Sequence, residues 1–247
     1  MKIALINPPQ VFSQYQVATG VTPPLGIAYL AAYCVKWGID VQVIDALGEA
    51  PERVTPFRDQ VFLRGLRIRE IAERIARDVG LIGISNLFSF GYPGVQELVR
   101  CIQSARPGTP IVLGGAHPTH MYEEVLRHRS ADFVVRGEGE IPLRQLCRHL
   151  AGELSLGEVP SIAYRDPEGK VQVTAAVPRI RDLAPSNIPF PARDLLPMEN
   201  YMRAQESHGA CNGRWTSIIS SRGCPYGCTF CDMRRTEWIG RSAKDVV

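Results

Sequence analysis

The chain lacks an apolar run approaching the ~18 residues of a membrane helix, so no span is expected. It lacks a charge excess. Lys and Arg total 28 against 25 Asp and Glu, a net charge of +3, too small to argue for nucleic acid or an anionic membrane. A secretory leader is missing too, because the N-terminal run Met1 to Asn7 carries one charge and stops at Pro8-Pro9. Internal repeats and low-complexity tracts are absent. Histidine is scarce, and the first is His117. Together these absences point to a cytoplasmic protein with neither a nucleic-acid nor a membrane partner.

What remains is an ordinary soluble composition, 45% hydrophobic and 21% charged over 247 residues, enough for one large domain or two small ones. Seven cysteines in a reducing compartment stay thiols, so their clustering argues for metal or redox chemistry. Cys34, Cys101 and Cys147 lie on or near apolar helix faces and read as small core residues.

Residues 1 to 152 alternate strand and helix signals. Strands are expected at Lys2 to Asn7, Val41 to Asp45, Leu81 to Ser85, Pro110 to Gly114 and Asp132 to Arg136. Helices are expected at Leu25 to Trp37, across an apolar stripe from Leu66 to Val79, around Val95 to Ile102, at Met121 to Arg127 and around Leu143 to Leu150. Glu70/Arg74 and Glu73/Arg77 are spaced to support the second helix. Short apolar strands separated by helices imply an α/β fold, a doubly wound parallel sheet in the order 2-1-3-4-5. Such sheets bind ligands beyond the strand C-termini, where strand order reverses. The loops to watch begin at Asn7, Ser85 and Gly114.

Residues 153 to 213 read as a hairpin, Ser161 to Arg165 with Val171 to Thr174, followed by a linker punctuated by Pro178, Pro185, Pro189, Pro191 and Pro197. Phe190, Leu195 and Tyr201 are its expected anchors. Residues 214 to 247 form a third region. There, Trp215 to Ser220 reads as a strand feeding a cysteine loop.

That loop, Cys224-Pro225-Tyr226-Gly227-Cys228-Thr229-Phe230-Cys231, has C-x3-C-x2-C spacing. Three thiolates on one tight turn suit a four-iron, four-sulfur cluster with one iron left open for a small molecule. Gly223 and Gly227 permit the turns. The alternative is a structural zinc site with Cys211 or His208 as fourth ligand. Arg234 and Arg235 read as solvated surface.

The loop resembles the signature of the radical S-adenosylmethionine enzymes, with Phe230 in the aromatic place. That resemblance implies that Cys224, Cys228 and Cys231 ligate iron and that S-adenosylmethionine chelates the fourth iron. Its reductive cleavage then yields a 5′-deoxyadenosyl radical, with electrons from a donor such as flavodoxin or ferredoxin. It also implies that the loop follows the first strand of a β/α barrel.

Residues 1 to about 150 resemble the cobalamin-binding domain that precedes many such barrels. Ser85-Asn86-Leu87 matches that domain's S-x-L element, and Gly114-Gly115 follows after 26 residues, 88 to 113. Pro23-Pro24-Leu25-Gly26 and Arg136-Gly137-Glu138-Gly139-Glu140 also look like that family. The D-x-H-x-x-G element of histidine-ligated cobalamin domains is absent, because Asn7-Pro8-Pro9-Gln10 stands there. The resemblance implies that Ser85, Asn86, Leu87, Gly114 and Gly115 line the cobalamin tail, with Gly115 holding the slot open. Asn7 and Pro8 lie near the corrin, and cobalt carries no histidine. His117 reads as a pocket-wall or helix-start residue.

Ser242 with Asp245 is a helix-start signature only a few residues before Val247. The expectation is a piece of a longer enzyme, cut within the first β/α unit of its barrel and inactive by itself. The function implied by resemblance is methyl transfer to an unactivated carbon. Ring contraction or cyclisation are known variants. A non-catalytic cobalamin or nucleotide carrier with a metal-binding tail is the alternative that the residues leave open.

Overall fold

The computed structural model describes residues 1–15, 20–206, 213–231, 233 and 236–246. Along the chain run β1 (Lys2–Asn7), β2 (Gln10–Ser13), α1 (Leu25–Lys36), β3 (Asp40–Asp45), α2 (Ala46–Glu49), β4 (Val54–Arg58), β5 (Val61–Arg64) and α3 (Ile68–Arg74). Next come β6 (Val79–Ser85), α4 (Tyr92–Ala105), β7 (Ile111–Gly114), α5 (Ala116–Arg127), β8 (Phe133–Val135) and α6 (Glu140–Leu150). The remainder contributes β9 (Ile162–Arg165), β10 (Val171–Val173), α7 (Met198–Ala204), β11 (Ser221–Cys224) and β12 (Thr236–Gly240).

The central sheet has seven strands in the order β10-β9-β8-β7-β6-β1-β3. Its five parallel strands have the order expected from the sequence, 2-1-3-4-5. Their central residues are mostly apolar because both faces are covered. One face packs Ile6, Ile82, Ile84 and Leu113 against α3 and α4 residues such as Ile71 and Leu98. The other packs Ile3, Leu5, Leu81 and Val112 against Ile27, Ala31 and Cys34 of α1 and Leu143, Leu146 and Cys147 of α6. Burial pushes the Cys34 thiol up and that of Cys147 up to about 12, so both are inert core residues, as expected.

The expected hairpin forms, but β9 pairs antiparallel with β8 and extends the main sheet. The stripe from Leu66 to Val79 is helical only over Ile68–Arg74. The Gln42 side chain stops it, donating to the Arg74 carbonyl (2.8 Å) and accepting from Ala76 N–H (3.0 Å). The expected Glu70/Arg74 and Glu73/Arg77 pairs give way to Arg53–Glu70, Arg69–Glu73 and Arg74–Glu49. A small antiparallel sheet, β2-β5-β4, had no counterpart in the sequence reading. Its edge strand contains Pro56, which lacks the donor a central strand needs.

The linker is anchored by Leu183, Ile188 and Tyr201, all buried, with Leu195 packed against the core. Phe190 is instead 46% exposed, lying under the Arg241 guanidinium. Trp215 to Ser220 pairs with no strand. The strand begins at Ser221 and pairs antiparallel with β12, because no parallel neighbour for it lies among the described residues. Ser242 does cap a short turn, accepting from Asp245 N–H at 3.2 Å. Among the described residues, no helix is long and apolar enough to cross a membrane.

Candidate functional site

The C-terminal ends of β1, β6, β7 and β8 open onto two adjoining cavities that hold the candidate residues, beside a third of about 500 Å³ lined by His120 and Arg136 among others. The first, about 240 Å³, is a slot between the sheet and helices α1 and α6. Leu5, Val112, Val135 and Leu143 line it, with Ser85, Leu87, Gly114 and Gly115 at its mouth. The second, about 770 Å³, lies beyond β1 and is lined by Asn7, Pro8, Asn86, Leu87 and Trp215 among others. Gly26, Ile27, Ser85 and Leu87 border both, so the structure brings all seven cobalamin-contact candidates to one site.

Two backbone features build the mouth. Asn86 N–H donates to the Gly114 carbonyl at 2.8 Å, lacing the S-x-L loop to the glycine pair. Gly115 has φ +114, and a Cβ there would stand 2.5 Å from the Asn86 carbonyl oxygen. Its bareness serves the close approach of two loops rather than an open slot. The slot is kept open by Gly114, Gly26 and Gly137, where an added Cβ would meet nothing within 4 Å.

The residues fit a corrinoid. The slot is lined mainly by apolar side chains and glycines, as a flat heteroaromatic tail requires, and the broader cavity beside it is about three times larger, 770 against 240 Å³. Asn86 is 4% exposed, and its Nδ2 has no partner among the described residues. This buried donor lacks an acceptor from the protein, as a group aimed at a ligand would. Among the described residues no histidine lines the slot or this broader cavity. His117 is buried at the start of α5, bonded through Nδ1 to Ser89 Oγ (2.9 Å) and tilted against the Tyr92 ring. Burial lowers its pKa, with Glu124 opposing. It is a packed, neutral helix-start residue.

The cysteine loop leaves β11 at Cys224, whose N–H donates to Thr236 Oγ1 at 2.9 Å. Gly223 before it has φ +84, and a Cβ there would collide with the Glu237 carbonyl of β12. Cys228 and Phe230 are exposed, Phe230 at 92%. The three thiols form no group that would hold a single metal ion among the described residues. Thiolates on separate irons of one cluster stand further apart than donors sharing one ion, so the donor set still fits a cluster with one open iron. The zinc alternative rested on His208 and Cys211, which lie outside the described residues, as do Arg234 and Arg235.

Sequence reasoning missed what joins loop to slot. Arg222, next to the loop, pairs with Glu140 through Nη2 and with Glu138 through Nη1 at 3.4 Å. Arg179 of the linker holds Glu138 Oε1 at 2.8 and 3.0 Å and the Glu237 carbonyl at 2.7 Å. Burial works against the Arg222 charge, but Glu140 and Glu138 outweigh it and raise its pKa. Arg222 and Ile219 themselves line the slot. The Arg136 to Glu140 run was singled out, and this network is the physical reason for its two carboxylates.

Comparison with known proteins agrees with this geometry. The B12 binding domain family matches residues 16–147, more than half of the chain. The chain is 32% identical to cytidylyl-2-hydroxyethylphosphonate methyltransferase of Streptomyces wedmorensis, over 100% of this chain and 51% of that protein. It is 29% identical to anaerobic magnesium-protoporphyrin IX monomethyl ester cyclase of a Synechocystis species, over 99% and 45% respectively. The chain thus spans about half the length of the curated relatives it matches. Its fold matches that of the cobalamin-dependent S-adenosylmethionine radical enzyme OxsB, solved with aqua-cobalamin and S-adenosylmethionine bound, with a TM-score of 0.72 at 22% identity, covering 99% of this chain and 30% of that one. On the domain match, which spans the glycine loops and most of the slot's lining, the chain belongs to the B12-binding domain family.

Proposed function

We propose that the chain is the cobalamin-binding part and cluster loop of a cobalamin-dependent radical S-adenosylmethionine enzyme that transfers a methyl group to an unactivated carbon of a small molecule. The observation that carries this reading is the coupling of two sites in one body. Ile219 and Arg222, just ahead of Cys224, form part of the slot wall. The relatives include both methyltransferases and cyclases, and methyl transfer is the reading favoured here.

When bound, the cluster with S-adenosylmethionine supplies a carbon-centred radical, and cobalamin supplies a transferable methyl group. The chain's own residues do the rest. Cys224, Cys228 and Cys231 hold iron and leave one iron open. Gly114, Gly26 and Gly137 leave room for the tail, while Leu5, Val112 and Leu143 exclude water from it. Asn7, Pro8 and Asn86 would border a bound corrin. A cobalamin whose nucleotide tail occupied the slot would find no imidazole among that cavity's described lining, and a cobalt without one would be easier to reduce.

Anaerobic reconstitution of the complete reading frame with iron and sulfide tests the enzyme class. The expected result is about four irons per chain and a cluster spectrum that changes on adding S-adenosylmethionine. Alanine at any one of the three cysteines should abolish loading. Stoichiometric zinc in place of iron would contradict the reading.

A further inference from the structure

Asn7, at the end of β1, is held in one sense by a buried chain of hydrogen bonds. Its register partner on β3 is Asp45, which is 1% exposed. Asp45 Oδ1 accepts from Asn7 Nδ2 at 2.8 Å and from Gly48 N–H at 3.1 Å. Asp45 Oδ2 accepts from the Tyr201 hydroxyl at 2.6 Å. Tyr201 is fully buried and arrives from α7, which Asn200 fastens by donating to the Gly48 carbonyl at 2.9 Å.

This chemistry leaves one arrangement. Burial and the neighbouring carboxylate keep the Tyr201 phenol protonated. Burial raises the Asp45 pKa, and its three donors oppose the rise. Wherever the proton between Tyr201 and Oδ2 resides, Oδ1 receives Gly48 N–H and remains an acceptor. Asn7 must therefore offer it Nδ2 and turn its own oxygen the other way. No described residue donates to that oxygen, and Asn7 borders the 770 Å³ cavity.

We infer that Asp45 and Tyr201 are positioning residues that fix the Asn7 amide as an acceptor for a peripheral carboxamide N–H of the bound corrin, an inference that rests on the cobalamin reading above. The corrin rim carries primary carboxamides, and its faces carry no donor. An Asn7 free to flip would present N–H instead, and the rim carboxamide would have to turn its own oxygen inward to keep a bond. The relay also explains why α7, in the linker, packs at the end of β1 and β3. Linker docking and floor geometry are set by the same three side chains.

The test is hydroxocobalamin titration of the complete protein, followed by its absorption spectrum. Asn7→Leu should weaken binding about tenfold, the worth of one well-made hydrogen bond, and lower the thermal midpoint, because buried Asp45 loses a donor. Tyr201→Phe, which keeps the ring packing, should weaken it severalfold. The double variant should bind no worse than Asn7→Leu alone, because Tyr201 acts through Asn7. If Tyr201→Phe fails to fold, Asp45→Asn takes its place in the cycle. A cobalamin with one rim carboxamide hydrolysed should, for one isomer, bind the native protein more weakly yet lose nothing further with Asn7→Leu. Equal affinities for native protein and Asn7→Leu, or additive losses in the double variant, would overturn the proposal alone. No cobalamin binding by the native protein would overturn the cobalamin reading and this proposal with it.

Discussion

The parallel sheet and the cysteine ribbon are built on opposite terms. The sheet closes its own accounts. Its strands are covered on both faces, and most of its side chains from Ile3 to Ile162 that point inward are buried. The ribbon, residues 213–231, 233 and 236–246, buries only Ile239 among its described hydrophobic side chains. It is held to the sheet domain by Arg222 and Arg179, which pair with Glu138 and Glu140, and to the linker by Arg241, which donates to the Ile188 carbonyl. The slot is thus shaped by the packed sheet, while the loop is exposed and rests on a few charged contacts.

The sharpest way to break this contrast is at the ribbon's turn. Gly223→Ala puts a methyl group into the Glu237 carbonyl and should abolish cluster loading, with the sheet's far-ultraviolet circular dichroism unchanged. Loss of overall folding would mean that the ribbon is part of the core.

Arg222→Met comes next. It leaves the Glu140 carboxylate, 5% exposed, without its partner, a loss of about 3 kcal/mol. Hydrogen exchange should show the loss as faster opening of β11, β12 and the start of α6, with β1, β6 and β7 unaffected. Uniform acceleration across the sheet would refute the clasp.

Inside the slot, two adjacent glycines should separate. Gly114→Val fills empty space and should abolish cobalamin binding at little cost in stability. Gly115→Val meets backbone and a positive φ, so it should cost about 1–3 kcal/mol and lower the thermal midpoint. Identical behaviour of the two would mean that the mouth is not built as described.

The parallel order 2-1-3-4-5 was legible because each strand is a short apolar run between helical stripes. Ser85, Asn86, Leu87, Gly114 and Gly115 were legible as a site because topology sends strand ends to one edge. What escaped reading is tertiary. Gln42 truncates α3 from another strand, and Tyr201 reaches Asp45 across 156 residues. Arg222 finds Glu138 and Glu140 by folding rather than by spacing. Gly115 does border the slot, but sequence could not tell that its missing side chain is required by the neighbouring Asn86 backbone. Trp215 to Ser220 has a strand's composition, but its backbone has no described strand to pair with.

The smallest expected effect concerns His117. Its folded pKa lies below the ordinary value near 6.5, so the neutral ring is the form the fold prefers. The unfolded chain therefore binds the extra proton, and stability present above pH 6.5 is lost as pH falls through that value. Stability measured at pH 7.5 and 5.5 should differ less in His117→Asn than in the native protein, by under about 1 kcal/mol. A larger difference in the variant would reverse the sign argued here.

Electron paramagnetic resonance of the cobalt(II) form bound to the complete protein tests the central claim most directly. The account predicts a base-off spectrum with no nitrogen superhyperfine splitting, identical in native protein and His117→Asn, and lost together with cobalamin binding in Gly114→Val. A splitting from an axial imidazole, or a spectrum unaffected by filling the slot, would contradict it.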